Sequence, residues 1–145
     1  MNTVFTIIQV ALLWGVVGYL LPLLVLFFNY KKENNKTILE VINNKFTYKK
    51  KNKTIEFSFS DIEKVVLNLS FPLYHRDIRL FFWDEYYYAE IKLKNGKSII
   101  ITCLLCDEIE TLIPKNLIER RRRIFQVITK PDSKVVRNFS KQYDS

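Results

Sequence analysis

The sequence predicts a single N-terminal transmembrane α-helix followed by one small, mainly-β barrel or sandwich with a C-terminal helix. Three observations predict it. Residues 4–28 form a run of about twenty-five without one Asp, Glu, Lys, Arg or His, long enough for a bilayer. Residues 38–105 alternate apolar and polar side chains in short runs broken by Asn-Asn, Lys-rich and Asn-Gly turns, the period-two mark of strands. Beyond Asp107 the period changes to that of a helix.

At about 1.5 Å of rise per residue, the first run makes a helix of roughly 35 Å, which covers a hydrocarbon core of about 30 Å with some tilt. Inside lipid the backbone must satisfy its own hydrogen bonds, so a lone segment is helical there whatever its propensity. A cleaved signal peptide is the competing reading, but Met1-Asn2-Thr3 carries no basic side chain and no A-x-A pattern follows. A buried core helix would show polar positions, and here Gln9 is the one strongly polar side chain deep in the run. All 23 Lys and Arg follow Phe28, starting with Lys31, Lys32 and Lys36, which orients the N-terminus outside and the remainder in the cytoplasm. Ala11 and Gly15, with Gly18 near them, form a small-xxx-small face suited to helix–helix association in the bilayer. Pro22 removes a donor and kinks the cytosolic third.

With 145 residues, the chain has room for the anchor and one domain. We assign residues 1–30 to the transmembrane anchor, 31–37 to a juxtamembrane linker, 38–130 to the β domain with its closing helix, and 131–145 to a loose tail. In the domain, residues 38–42 and 45–50 make a hairpin about Asn43-Asn44, because Asn tolerates positive φ. Lys49-Lys50-Lys51-Asn52-Lys53 is the next turn, and Ile55, Phe57 and Phe59 mark a third strand. Ser60-Asp61-Ile62-Glu63 has capping-box form and predicts one helical turn. Val65, Leu67 and Leu69 face inward from a fourth strand. Pro72 signals a loop, and residues 78–83 alternate as a fifth strand. Tyr87, Ala89, Ile91 and Leu93 share one face of the next strand. Asn95-Gly96 predicts a type I′ turn into an Ile-rich return strand over residues 97–105. Asp107 and Glu108 start a helix, Pro114 either ends that turn or starts the next helix from its first position, and residues 116–129 carry Leu117, Ile118, Ile124, Phe125 and Ile128 on one helical face.

Chemistry-bearing residues are sparse. A net charge of +8 beside an anionic leaflet follows from topology and lipid proximity, and nucleic acid is not needed to explain it. Cys103 and Cys106 form one C-L-L-C pair inside the apolar run IIITCLLC, with no second pair and one His, His75, far away, so they read as small hydrophobes and no metal site is expected. With three Gly there is no phosphate-cradling loop, and any nucleophile–His arrangement would have to pass through His75. No catalysis, cofactor or small-molecule substrate is expected. Three patches remain as binding candidates. Lys49, Lys50, Lys51 and Lys53 gather positive charge in one turn, suited to anionic head groups or a partner. Arg120, Arg121, Arg122 and Arg123 offer guanidinium forks for carboxylates or phosphates, although on a helix they would point around the axis. In the aromatic block Phe81-Phe82-Trp83 and Tyr86-Tyr87-Tyr88, the residues Trp83, Tyr86 and Tyr88 are the partner candidates.

The hairpin ILEVINNKFTYKK, the segment TIEFSFSDIEKV and the run AEIKLKNGKSIIITCLL followed by an acidic helix start together resemble the bacterial pleckstrin-homology-like (PH-like) domain family, whose members often follow membrane helices. The resemblance covers most of residues 38–112, and Pro114 departs from that family's uninterrupted closing helix. The resemblance implies scaffolding, protein binding or membrane-surface regulation and does not imply catalysis; the expectation is an accessory or assembly subunit of the bacterial cytoplasmic membrane that binds another membrane protein, with anionic-lipid head-group binding as the alternative.

Overall fold

The computed structural model describes residues 3–129, so the expected tail lies outside the described residues. The long helix α1 spans Thr3–Asn34 and carries the apolar run. It is followed by β1 (Thr37–Ile42), β2 (Lys45–Lys50) and β3 (Lys53–Ser58), an antiparallel meander in the order β1-β2-β3. A 3-10 turn at Phe59–Asp61 leads into β4 (Ile62–Leu69), then a short α2 (Phe71–His75) and a second 3-10 turn at Phe82–Glu85. β5 (Tyr88–Leu93) and β6 (Ser98–Thr102) complete the antiparallel part of the second sheet, whose order is β6-β5-β4-β7. Two short helical pieces, α3 (Ile109–Leu112) and a 3-10 turn at Lys115–Leu117, precede β7 (Ile118–Arg122). Among the described residues the two sheets form an open sandwich with no closed barrel.

Alternation of side chains places the main core between the sheets. Phe46, Tyr48 and Phe57 come from the first, and Val65, Leu67, Leu69, Ala89, Ile91, Leu93, Ile99 and Ile101 from the second, while Ile109 and Ile113 seal one end. Phe46 and Phe57 stack at 5.0 Å, and Phe59 meets Phe46 edge-on at 5.2 Å. A second cluster lies on the opposite face of the second sheet, where Tyr88 is joined by Leu26 and Tyr30 of α1 and by Ile128. The sheet is therefore covered on both sides, and α1 is one of its covers.

Local chemistry explains the turns. Asn43 (φ 49°) and Asn44 (φ 64°) both sit in the left-handed region that a type I′ hairpin demands. At Asn95-Gly96 only Gly96 is left-handed (φ 80°), so that turn is not type I′. The predicted capping turn exists two residues earlier than expected: Ser58 is the cap, its amide donating to Asp61 Oδ2 at 2.7 Å.

Three expectations are corrected. The linker over residues 31–37 is mostly helix, because α1 continues to Asn34 and β1 begins at Thr37; Lys31 and Lys32 in the last turn suit the helix C-terminus, and Asn34 bonds to Thr102. The strand over residues 78–83 is absent. Asp84 instead accepts a hydrogen bond from the Phe81 amide at 3.1 Å and organises a 3-10 turn. The helix over residues 116–129 is also absent: Ile118–Arg122 is a strand running parallel to β4, from Val65↔Ile118 to Leu69↔Arg122. An open edge of β4 offers a ladder of backbone partners, and satisfying that ladder outweighs a helical spacing of apolar residues. Among the described residues the C-terminal helical content is limited to α3 and the turn after Pro114.

Candidate functional site

One face of α1 is where the fold joins the chain's most apolar segment to its domain. From Thr3 to Gly18 every residue is exposed, and then Tyr19, Pro22, Leu23, Leu26, Asn29 and Tyr30 are covered in turn, the three-and-four spacing of one helical face. Tyr30 is fully buried. Its ring meets Tyr86 at 5.2 Å and Tyr88 at 6.3 Å, both edge-on, and its hydroxyl donates to the Gln126 carbonyl at 2.9 Å. Asn29 binds the backbone of Ile128 in both directions, donating from Nδ2 to the carbonyl at 3.1 Å and accepting from the amide at 2.8 Å. Asn34 pairs with the Thr102 hydroxyl at 2.8 Å, and Glu33 forms an ion pair with Lys50. Residues 123–129 thus strap the helix to the sheet.

The aromatic candidates are part of this seam. Trp83 lies 5.0 Å from Tyr19, stacks on Phe81 at 4.4 Å, and both Trp83 and Tyr86 pack against the cluster that contains Tyr30 and Tyr88. All three are therefore engaged by the chain's own helix. The alternation that marks strands does not reveal this, because the covering element is forty residues or more away in sequence, about the reach of a separate element.

The basic candidates divide. In the lysine turn Lys49 pairs with Glu40 at 3.3 Å and Lys50 with Glu33, whereas Lys51 and Lys53 are exposed and have no carboxylate partner among the described residues. Lys51 is left-handed (φ 55°), and its amide donates to the Lys36 carbonyl at 3.0 Å, which fixes the turn beside the C-terminal end of α1. Lys31, Lys32, Lys36, Lys51 and Lys53 consequently surround that end. Buried nearby, with Glu33 adding to the effect, the Tyr48 phenol is pushed up to about 12.

The four arginines lie on or just beyond β7, where side chains alternate, and they reach different partners. Arg120 donates to Glu110 at 2.9 Å and to the Leu73 carbonyl at 2.7 Å, and Arg121 pairs with Glu119 at 3.2 Å. A bond from Arg121 holds the Glu119 carboxyl below its usual range. Arg122 stands over the Phe71 ring at 5.5 Å, and Arg123 donates to the buried Asn68 at 2.9 Å. Cys103 packs in the α1-side cluster and Cys106 against the main core, so the two thiols serve different layers. Burial pushes both thiols up. His75 closes α2 against Phe71 at 4.5 Å and Tyr74 at 5.1 Å. Among the described residues no group of three or more His, Cys, Asp or Glu is placed to hold a metal ion.

Two surfaces remain. Ala11 and Gly15 line a shallow apolar groove with Ile8, Leu12 and Val16, and a Cβ added at Gly15 or Gly18 would meet nothing within 4 Å. β1 is an edge strand with exposed Ile38, Val41 and Ile42. A helix at the N-terminus, a two-sheet sandwich and short helical pieces after β6 agree with the family whose model matches residues 1–113, described as PH domain. The chain belongs to the PH domain family. The match includes α1 and ends before β7, so the helix is within the family pattern while the parallel strand lies beyond the matched part. No curated protein and no solved structure matches the chain. In this PH domain the seam around Tyr30 was missed by sequence reasoning. Its signal, a Tyr–Leu–Leu–Tyr stripe at positions 19, 23, 26 and 30, is hidden because the positions between them, Asn29 apart, are apolar too.

Proposed function

We propose that this PH domain is a non-catalytic binding module held at the cytoplasmic face of a membrane by α1, working as an accessory or assembly subunit of another membrane protein. The observation that carries the reading is β1. Its outer edge has no strand beside it among the described residues, and Ile38 and Ile42 expose apolar side chains along one face of it. Such an edge accepts a further strand through its backbone, with alternate side chains supplying specificity. Anchoring by α1 raises the effective concentration of the edge for a partner in the same bilayer. The test is purification of the full chain from native membranes. Ile38→Lys together with Ile42→Lys is expected to abolish stoichiometric co-purification of a membrane partner while the protein stays in the membrane fraction; an unchanged partner yield overturns this reading.

A second reading rests on the lysines around the end of α1. Lys51 and Lys53 are exposed beside Lys31, Lys32 and Lys36, where anionic head groups would attract each by about 1 kcal/mol. Lys51→Gln with Lys53→Gln is expected to remove any preference of the reconstituted protein for anionic over zwitterionic lipid, read by lipid co-purification. Because Leu26, Asn29 and Tyr30 belong to the domain's packing, both tests use the whole chain and not a fragment cut after the helix.

A further inference from the structure

Among the described residues outside α1, residues 78–83 form an apolar exposed stretch. Ile78 is 84% exposed, Leu80 75% and Phe82 67%, although nothing about a strand or core requires them there. Their placement along α1 accounts for them. Phe81, Phe82 and Trp83 ring Tyr19 at 6.1, 6.2 and 5.0 Å, whereas the domain's other contacts with the helix lie lower, at Leu26, Asn29 and Tyr30. Tyr30 and Tyr19 are about 16 Å apart along the axis, so the segment climbs the helix by that distance.

The bare part of the helix, residues 3–18, supplies only about 24 Å of rise, less than a hydrocarbon core of about 30 Å. Meanwhile the uncovered faces of α1 stay apolar and exposed through Leu21, Leu24, Val25 and Phe28. A helix that spans must therefore be immersed past Tyr19, and whatever is packed on Tyr19 is immersed with it. Segment chemistry fits that depth. Arg79 and Glu85 pair with each other at 3.4 Å, and the Asp84 carboxylate is buried against the Phe81 amide. Aromatic rings are favoured where the acyl chains meet the head groups.

We propose that residues 78–83 form a second membrane contact, a wedge whose Ile78, Leu80 and Phe82 enter the acyl layer of the same leaflet beside α1. The proposal rests on reading α1 as a membrane span. It makes the attachment two-point: the helix fixes the domain's position and the wedge fixes its rotation about the helix axis, which determines where the β1 edge points.

The test reconstitutes the full chain in phosphatidylcholine vesicles carrying bromine near the top of the acyl chains, a short-range quencher of Trp emission. Trp83→Phe leaves Trp14 as the reporter of the span. Trp14→Phe with Trp83→Phe and Phe82→Trp places a single reporter on the wedge. Both are expected to be quenched by bromolipid, the wedge reporter at least as strongly, and to be shielded from iodide in the water. Quenching of Trp14 with an iodide-accessible wedge reporter overturns the wedge and leaves the span standing. A wedge reporter reached by neither quencher is covered by protein, a second copy of the chain, and overturns the lipid assignment. Failure of this bromolipid and of one brominated near the chain ends to quench Trp14 overturns the span itself.

Discussion

Residues 3–18 and residues 19–34 are two halves of one helix, and through Phe28 they are equally apolar, yet only the second half touches the domain. The first half is exposed on every side. The second packs Leu26 and Tyr30 against the sheet, sets Tyr19 against Phe81, Phe82 and Trp83, and adds three polar side chains, Asn29, Glu33 and Asn34, that bond to residues up to 99 positions away. Hydropathy reports which solvent a segment prefers and is silent about which of its faces has a protein neighbour. In this PH domain the long apolar helix is therefore also a structural element of the domain, and its second half acts as the outer cover of the second sheet.

The largest expected effect that separates the halves is at Tyr30. Tyr30→Ala empties a fully buried position, loses two edge-on ring contacts and strands the Gln126 carbonyl, and should lower stability by about 3–5 kcal/mol in denaturant unfolding of the full chain in detergent micelles. Asn29→Ala should cost about 1–3 kcal/mol in the same measurement, since it leaves the Ile128 amide and carbonyl without their partners. By contrast Leu12→Ala, in the bare half, should move the domain's unfolding midpoint by less than about 0.5 kcal/mol, and a larger shift would show that the first half also packs on the domain.

Thiol chemistry sharpens the same comparison. Cys103 lies in the cluster under Tyr30 and Cys106 against the main core, and burial pushes both thiols up, so both should alkylate slowly at neutral pH. Tyr30→Ala should speed alkylation of Cys103 and leave Cys106 unchanged, as read by mass spectrometry of the labelled peptides. The smallest effect concerns pH and lies far from α1. The Ser58 amide and hydroxyl hold the exposed Asp61 carboxyl below its usual range, so the folded pKa lies below the unfolded one. Its contribution is present above about pH 4 and is lost as pH falls through the folded value. Asp61→Asn should flatten the acid limb of the stability profile slightly, while Tyr30→Ala should lower the whole profile.

Much of the fold was legible because it rests on local periodicity. The strands at Phe46 and Tyr48, at Ile55 and Phe57, at Val65 to Leu69 and at Ala89 to Leu93 are where alternation places them, and the Asn43-Asn44 hairpin follows from two residues that accept positive φ. Residues 78–83 alternate equally well and form no strand, because alternation is necessary for a half-buried strand but a partner edge must also be present. Residues 118–122 show the reverse. Their arginines and apolar spacing suggest a helix, and the vacant edge of β4 draws them into a parallel ladder. The arginine candidates were located by composition, but whether they share a surface depended on that change from helix to strand.

What the sequence alone determined was the division of the chain: an uncharged run long enough to span a bilayer, strands after it with their inward faces, and a basic end to the helix. Those properties are set by a residue and its near neighbours. The tertiary structure decided which face of the apolar helix is a protein interface, that Trp83, Tyr86 and Tyr88 turn toward it, and that the last strand enters the sheet in parallel. Each of these is a pairing between segments far apart in the chain, chosen by which surfaces and backbone edges remain uncovered once the local elements have formed, and no window of sequence contains that information.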